Sequence, residues 1–299
     1  MNTHHVKKER KKSIVKIFII SFISILMIPV SLYFYATEIE RRLVTVTWNE
    51  IEAPTIPKEF NNKKILQFSD VHLGPDFTLK QLENLVEKMN ELHPDIVVFT
   101  GDLIDKFGSY SAEREEAKVI LQKIKAPLGK YAVFGNHDRG GGGSLFYKKY
   151  MEEAGFSVLV NDVQKIKVEN GKYITISGLD DLLLGKPQID STLKNLRQQD
   201  FNMLLVHEPD VVDKVAGYPV DFQISGHSHG GQVQIPFVGP LITTKLAEKY
   251  VEGMYELEGK SKSLYLYVNR GIGTTRMPVR FWSVPELSVF VLKQSSNLK

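Results

Sequence analysis

The chain has 299 residues, 42% of them hydrophobic and 24% charged, with no cysteine and a formal net charge of +3. That length supports one large domain or two ordinary ones, and the lack of Cys excludes a disulfide framework, a thiolate metal site and a cysteine nucleophile. The charge is local: residues 1–16 carry Lys7, Lys8, Arg10, Lys11, Lys12 and Lys16 against Glu9, a net of +5, which leaves −2 on everything else. A slightly acidic body lacks the basic face that binds nucleic acid, so no nucleic-acid partner is expected.

In chain order, the basic tail of residues 1–16 is followed by twenty residues without a formal charge, Ile17 to Ala36. As a helix they span roughly 30 Å, the thickness of a hydrocarbon core. Pro29 is tolerated in a spanning helix, and Tyr33 and Tyr35 suit an interface. Only Arg41 and Arg42 follow closely. The excess of basic residues before the segment predicts a cytoplasmic tail, a single-pass cell-membrane anchor and an extracytoplasmic body. The competing reading is a cleaved signal peptide, whose cleavage site wants small residues. Ala36 is small, but Phe34 two places earlier is not, which favours an anchor. Residues 37–62 read as a tether in which "VTVTW" is a possible first strand, and the folded domain is expected over 63–299.

In the body, "KKILQFSD" is a buried strand ending in a carboxylate. Thr78 to Leu92 has helical apolar spacing and stops before Pro94. "DIVVFTGD" repeats the strand-then-Asp pattern. Ser111 to Ile124 is a second amphipathic helix with Ser111 as N-cap. "KYAVFGNHD" is a third strand, and Leu145 to Ala154 a third helix. "FSVLV", "VQKIKVE" and "KYITISGLD" then alternate, with Asn170-Gly171 marking a hairpin. "FNMLLVHEPD" and "VDFQISGHSHG" return to strands ending in polar loops. The C-terminal part is strand-rich, with Lys260 to Ser263 near a hairpin turn. Strand–helix alternation followed by strands predicts an α/β body with two sheets.

Five of these apolar strands end in metal-ligating residue types: Asp70 with His72, Asp102, Asn136 with His137, His207, and His227 with His229. Loops beyond the carboxyl ends of strands are where α/β proteins build sites. Of the eight histidines, His4 and His5 lie in the tail and only His93 of the rest falls elsewhere. A lone His is usually an ordinary surface or core residue; five of six at strand ends is a pattern. Oxygen and imidazole donors without sulfur suit Mn, Fe, Zn, Co or Ni. So many donors exceed one tetrahedral ion and match two divalent ions sharing a carboxylate, which clamp a phosphoryl group for in-line displacement. The four glycines at 140–143 do not form a phosphate-cradling loop, because no Lys-Ser/Thr pair follows them. They are either slack before a helix or a means for the chain to pass close to the site.

"DVH", "GD", "GNHD", a lone His after a strand and "GHSH", in that order, resemble the calcineurin-like metallophosphoesterase family over roughly residues 63–292. The segments "HGGQVQIPFVGPL" and "YVNRGIGTTRMPVRF" resemble its bacterial membrane-associated branch, some members of which act on lipid-linked pyrophosphates. The resemblance implies a four-layer α/β/β/α sandwich preceded by the anchor helix. It implies that Asp70, His72 and His229 hold one metal and Asn136, His207 and His227 a second, with Asp102 between them. It implies that His137 acts as catalytic acid and that Asp138 orients it.

Substrate contacts are less legible. Arg139, beside the motif, is the first candidate for phosphate binding, followed by Arg270, Arg276 and Arg280. "IPFVGPLIT", residues 235–243, is almost wholly apolar and belongs either in the core or on an apolar surface facing lipid. The reading is a membrane-anchored two-metal phosphoesterase whose substrate is a phosphorylated small molecule or lipid. The alternatives are a phosphodiesterase for a soluble nucleotide or phosphodiester, and a metal-binding sensor or scaffold without turnover, which would not need His137.

Overall fold

The computed structural model describes residues 3–108, 110, 114–259 and 262–295. Ser111, expected as an N-cap, and Lys260 and Ser261 of the expected turn lie outside the described residues. The chain starts with one long helix, α1 (Thr3–Phe34), that contains Pro29. A π-turn (Tyr35–Ile39) and a 3-10 turn (Glu40–Arg42) end it. Among the described residues this helix is long and apolar enough to cross a membrane by length and composition, and none of its apolar stretch is buried against the body.

The body begins with β1 (Thr45–Ala53), β2 (Lys64–Phe68), α2 (Leu79–Glu91), β3 (Ile96–Phe99), α3 (Arg114–Gln122), β4 (Lys130–Ala132), α4 (Asn136–Arg139), α5 (Tyr147–Glu153) and β5 (Ser157–Val158). It continues with β6 (Asp162–Lys167), β7 (Tyr173–Gly178), α6 (Ile189–Leu193), β8 (Asn202–Leu205), α7 (Val212–Val215) and β9 (Phe222–Ser225). A small hairpin, β10 (Gln234–Ile235) and β11 (Gly239–Pro240), precedes β12 (Gly253–Glu258), β13 (Ser263–Val268) and β14 (Glu286–Gln294). One six-stranded sheet has the order β1-β14-β2-β3-β4-β5, the other β12-β13-β9-β8-β7-β6. In the first, β2 to β5 are parallel and β14 runs antiparallel to β2; in the second, β7, β8, β9 and β13 are parallel.

Alternation along each strand makes the layers. In β3, Ile96 and Val98 join Ile65, Phe222, Ile224 and Phe290 between the sheets. Val97 and Phe99 face the other way, onto Leu82, Leu85 and Met89 of α2 and Leu121 of α3. The second sheet's outer face, with Leu204 and Leu266, is covered by Leu193 of α6 and Val212 and Val215 of α7. The result is the expected α/β/β/α sandwich. Helix α2 starts on a capping box, Thr78 accepting from the Gln81 amide while the Gln81 side chain accepts from the Thr78 amide.

Residues 45–53, read from sequence as tether with a possible strand, form nine residues of strand in register with β14 from Thr45–Glu286 to Ala53–Gln294. The helix stem is also fastened. The Arg280 amide donates to the Ala36 carbonyl oxygen at 3.0 Å, and the Ser283 amide to buried Glu40 Oε1 at 2.7 Å.

The two sheets meet through aromatic edges: Phe290 of β14 lies 4.9 Å from the ring of Phe222 and 4.9 Å from that of Tyr267, both from the opposite sheet. Phe290→Ala leaves a cavity between the sheets and is expected to cost about 3–5 kcal/mol, read as a lowered urea midpoint for the full chain in detergent.

Candidate metal centre

Strands β2, β3, β4, β8 and β9 all finish at one end of the sandwich, and each delivers side chains there. The backbone knits these ends together before any side chain acts. The Asp70 amide donates to Gly101 O at 2.9 Å, His72 to Asp102 O at 3.2 Å, and Gly226 to His207 O at 3.0 Å. Asp70, His72, Asp102, His227 and His229 all hold left-handed backbone, with φ between 47° and 70°. Asp and His enter this region more readily than β-branched residues, but it is strained for all but Gly.

Glycines give the ends room. A Cβ on Gly135 would overlap Asp102 Oδ1, and one on Gly226 would overlap Ser69 Oγ and Asp70 Oδ2. These are the first residues of "GNHD" and "GHSH", so both motifs begin with a glycine because a carboxylate occupies the Cβ position.

The cluster has two lobes. In one, His72 Nε2 and His229 Nε2 lie 3.1 Å apart, with Asp70 Oδ1 3.5 Å from His229 Nε2. In the other, His207 Nε2 and His227 Nδ1 lie 3.1 Å apart. Asp102 Oδ2 stands between them, 3.3 Å from His207 Nε2 and 3.7 Å from His72 Nε2. Two nitrogens bound to one cation at about 2.1 Å are themselves roughly 3.0–3.4 Å apart, so both histidine pairs have ligand-like spacing. Asp70, His72 and His229, and likewise Asp70, Asp102 and His207, present donor atoms within 4.8 Å of one another.

Carbonyl oxygens fix the tautomers. Thr100 O accepts from His207 Nδ1 at 2.6 Å, and Lys245 O from His227 Nε2 at 2.9 Å. The remaining nitrogens, His207 Nε2 and His227 Nδ1, therefore face each other, as second-shell carbonyls arrange for metal ligands. Burial pushes His207 toward the neutral form, but the Asp102 charge and its hydrogen bond outweigh that and hold it well above the usual imidazole range. Burial and the charge on His207 push His227 down to about 4. Burial, then His72 and Arg280, holds His229 well below the usual range. Burial raises Asp102, yet His207, His137 and His72 together leave it well below the usual carboxylate range. The pocket thus favours positive charge beside Asp102.

The donor set fits divalent cations. Among the buried polar atoms of the described residues that have no hydrogen-bond partner is Asn136 Oδ1. Asn136 begins α4 straight after the β4 end, and its orphaned oxygen is the kind of donor an ion satisfies.

His137 is the least buried of the motif histidines. Its Nδ1 lies 2.9 Å from Asp105 O and 3.3 Å from Asp105 Oδ1, and its amide donates to Asp102 Oδ1 at 2.8 Å. Burial lowers its pKa, but Asp102 and Asp105 raise it above the ordinary value, so it carries a proton readily. Asp138, expected to orient His137, makes its hydrogen bonds to the backbone beside it and adds its charge to those acting on His137. Its carboxylate accepts the amides of Asp102 at 2.7 Å, Gly135 at 2.9 Å and Leu103 at 3.0 Å. Burial and the Asp102 charge push Asp138 up to about 7, against those three amides. It braces the Asp102 turn, while the His137 ring rests on Asp105, a residue the motif pattern did not mark.

The arginine candidates separate. Arg139 donates from Nε to Asp180 Oδ1 at 2.7 Å and stacks 3.7 Å from the Phe134 ring centre. Arg280 is wholly buried: its guanidinium donates to Gly273 O, Arg270 O and Ser283 O, and lies 3.5 Å from His229 Nδ1. That leaves Arg280 as a prop for His229, not a phosphate contact. Arg270 pairs with Glu286 at 2.8 Å, and Arg276 is exposed. The glycines at 140–143 turn against the loop after Asp105, with Gly108 donating to Gly141 O at 2.7 Å. A groove of about 900 Å³ between Arg41–Thr45 and α2 contains none of the cluster residues.

A family model described as calcineurin-like phosphoesterase matches residues 63–231. The chain is 44% identical over 265 residues to the uncharacterized metallophosphoesterase YkuE of Bacillus subtilis, covering 88% of this chain and 91% of that one. It is 30% identical to the UDP-2,3-diacylglucosamine pyrophosphatase LpxG of Chlamydia trachomatis, covering 89% and 94%. Among solved structures, the NAD nucleotidase of Haemophilus influenzae aligns with a TM-score of 0.50 at 17% identity, over 70% of this chain and 45% of that one, a likeness of fold.

Gly226→Ala drives a methyl group into Ser69 and Asp70. Mn²⁺ affinity, measured by chelator competition, is expected to fall at least about tenfold, as when a ligand's support is disturbed, with circular dichroism unchanged. Undiminished affinity would remove Asp70 from the binding set.

Proposed function

The chain belongs to the calcineurin-like phosphoesterase family, and from that premise we propose that this metal-dependent phosphohydrolase is held in a membrane by α1 and cleaves a phosphoester or pyrophosphate bond of a lipid-linked substrate. The observation that carries the chemistry is Asp102 Oδ2 between His72 and His207, each with a second histidine 3.1 Å away. Asp70, His72 and His229 would hold one divalent ion, and Asn136, His207 and His227 another, with Asp102 shared. Bound ions supply Lewis acidity, polarising the phosphoryl oxygens.

The chain's own part is to position and to move one proton. Thr100 O and Lys245 O hold His207 and His227 with their cluster-facing nitrogens ready as donors. Asp105 O takes the Nδ1 hydrogen of His137, so Nε2 is left to protonate the departing oxygen. Arg139 would contact phosphate only by exchanging Asp180 for it. The lipid-linked substrate is supported by the likeness to LpxG, a pyrophosphatase named for a diacylated nucleotide sugar, and by the apolar helix fastened to the body. The domain reading is a tail over 1–16, an anchor over 17–36 and a catalytic body beyond.

With metal occupancy kept equal, His137→Ala is expected to lower kcat by on the order of 10²–10⁴-fold on esters with poor leaving groups. Nitrophenyl esters, whose leaving group needs no proton, should lose far less. An equal loss on both would remove the proton-donor role. Parallel assays on diacyl pyrophosphate and on soluble phosphodiester decide the substrate class, and preference for the soluble one would overturn the lipid reading.

The six-to-two imbalance of Lys and Arg around residues 17–36 supports a body outside the cytoplasmic membrane. Protease added to intact wall-free cells is expected to digest the body while cytosolic markers survive. A body protected until lysis would reverse the topology.

A further inference from the structure

The segment 229–245 leaves the metal centre at His229 and returns to it at Lys245, whose carbonyl oxygen accepts from His227 Nε2 at 2.9 Å. Between these feet, residues 235–242 are apolar and largely unburied. Phe237 is 108% exposed, Val238 78%, Leu241 58% and Ile242 65%. Beside this loop runs residues 275–282. Phe281 donates to Gln232 O at 2.9 Å and Gln234 to Phe281 O at 2.8 Å, so the two segments form one surface. The second segment adds Met277 and Trp282, also more than half exposed. Six large apolar side chains thus stand together on the end of the sandwich that carries the histidines.

What covers them follows from continuity with the helix. Arg280 and Ser283, flanking Trp282, make the hydrogen bonds to Ala36 O and Glu40 Oε1 at the foot of α1. The apolar surface therefore adjoins the foot of α1, where the apolar helix enters the body. Charge agrees with that placement. Residues 229–247 and 269–285 contain no Asp or Glu, while Lys245 and Arg276 are exposed among them. Apolar tips with basic flanks and no carboxylate are the composition of an anionic membrane interface.

We propose that the 235–242 loop, with Met277 and Trp282, inserts into the outer part of the bilayer beside α1, so that the metal centre opens onto the lipid surface. The proposal rests on the anchor reading above and extends it: the body docks on the membrane as well as being tied to it. A substrate could then keep its acyl chains in the bilayer while its phosphate reaches the cluster histidines from which the loop springs.

The chain has two tryptophans, Trp48 and Trp282. In a Trp48→Phe background, Trp282 is the sole reporter. The full chain is reconstituted into vesicles of equal parts phosphatidylglycerol and phosphatidylcholine, the latter brominated along its acyl chains. Emission of Trp282 is expected to shift to the blue and fall at least twofold, and the same for Phe237→Trp made with both native tryptophans replaced. Lys172→Trp, in the hairpin at the far end of β7 and ~20 Å from the site end of the strand, should stay unquenched. An alkaline carbonate wash separates the outcomes. If the chain resists the wash but the indoles at 237 and 282 are unquenched, docking is wrong and the anchor stands. If the wash strips the chain, the anchor reading falls and docking with it. If the indoles are shielded without bromine quenching and lose that shielding when the chain is diluted in the vesicles, a second copy covers the patch and the proposal fails.

Discussion

Five non-glycine residues in left-handed backbone, Asp70, His72, Asp102, His227 and His229, are the constraint on which the rest of the centre depends. Each costs roughly 1–2 kcal/mol relative to ordinary backbone. The cost is met because each turn is over-determined. Gly273 donates to Asp70 O at 2.7 Å, His227 donates to Asp70 Oδ2 at 3.0 Å, and the Asp138 carboxylate gathers three amides under Asp102. These sharp turns after β2, β3 and β9 bring donors from three strands together, beside Asn136 after β4 and His207 after β8. An extended exit from any of these strands would send its side chain past the cluster.

The electrostatics follow from the same crowding. Imidazoles and carboxylates packed this closely out of water cannot all hold their ordinary charge. Asp102 draws the His207 pKa up while burial and His207 push His227 down, although their nitrogens are only 3.1 Å apart. Bound cations would satisfy the Asn136 oxygen and offset the carboxylate charge, which would link metal binding to the stability of this end of the sandwich.

Much of this was legible in the sequence because apolar runs ending in Asp or His state both the strand and the ligand at once. Other features depend on register between distant segments and leave no local trace. "VTVTW" looked like a tether with a possible strand; its pairing with β14, some 240 residues away, makes it an edge of the sheet. Asp105 carries no motif, and its carbonyl meets His137 only because the β3 and β4 exits are adjacent. Arg139 and Arg280 show the opposite limit. A guanidinium near a phosphate site invites a substrate role, yet Asp180 and the carbonyls of Gly273, Arg270 and Ser283 already claim these two.

Arg280 also connects the centre to the foot of α1. Its amide holds Ala36 at the foot of α1 while its guanidinium, pushed down to about 10 by burial and still charged at neutral pH, reaches His229. Ser283 makes the same span, its amide on Glu40 and its hydroxyl donating to His229 O at 2.8 Å. A flexible tether would leave the body free to tumble over a disc of membrane, facing any direction. Here Arg280 and Ser283 each bond both the turns that follow α1 and the His229 loop, which ties the foot of the helix to the metal centre. On the proposed lipid-linked phosphate that rigidity would count: the reacting bond would lie in a thin layer at the membrane surface, and a site that cannot turn away would already be aligned when substrate diffuses to it.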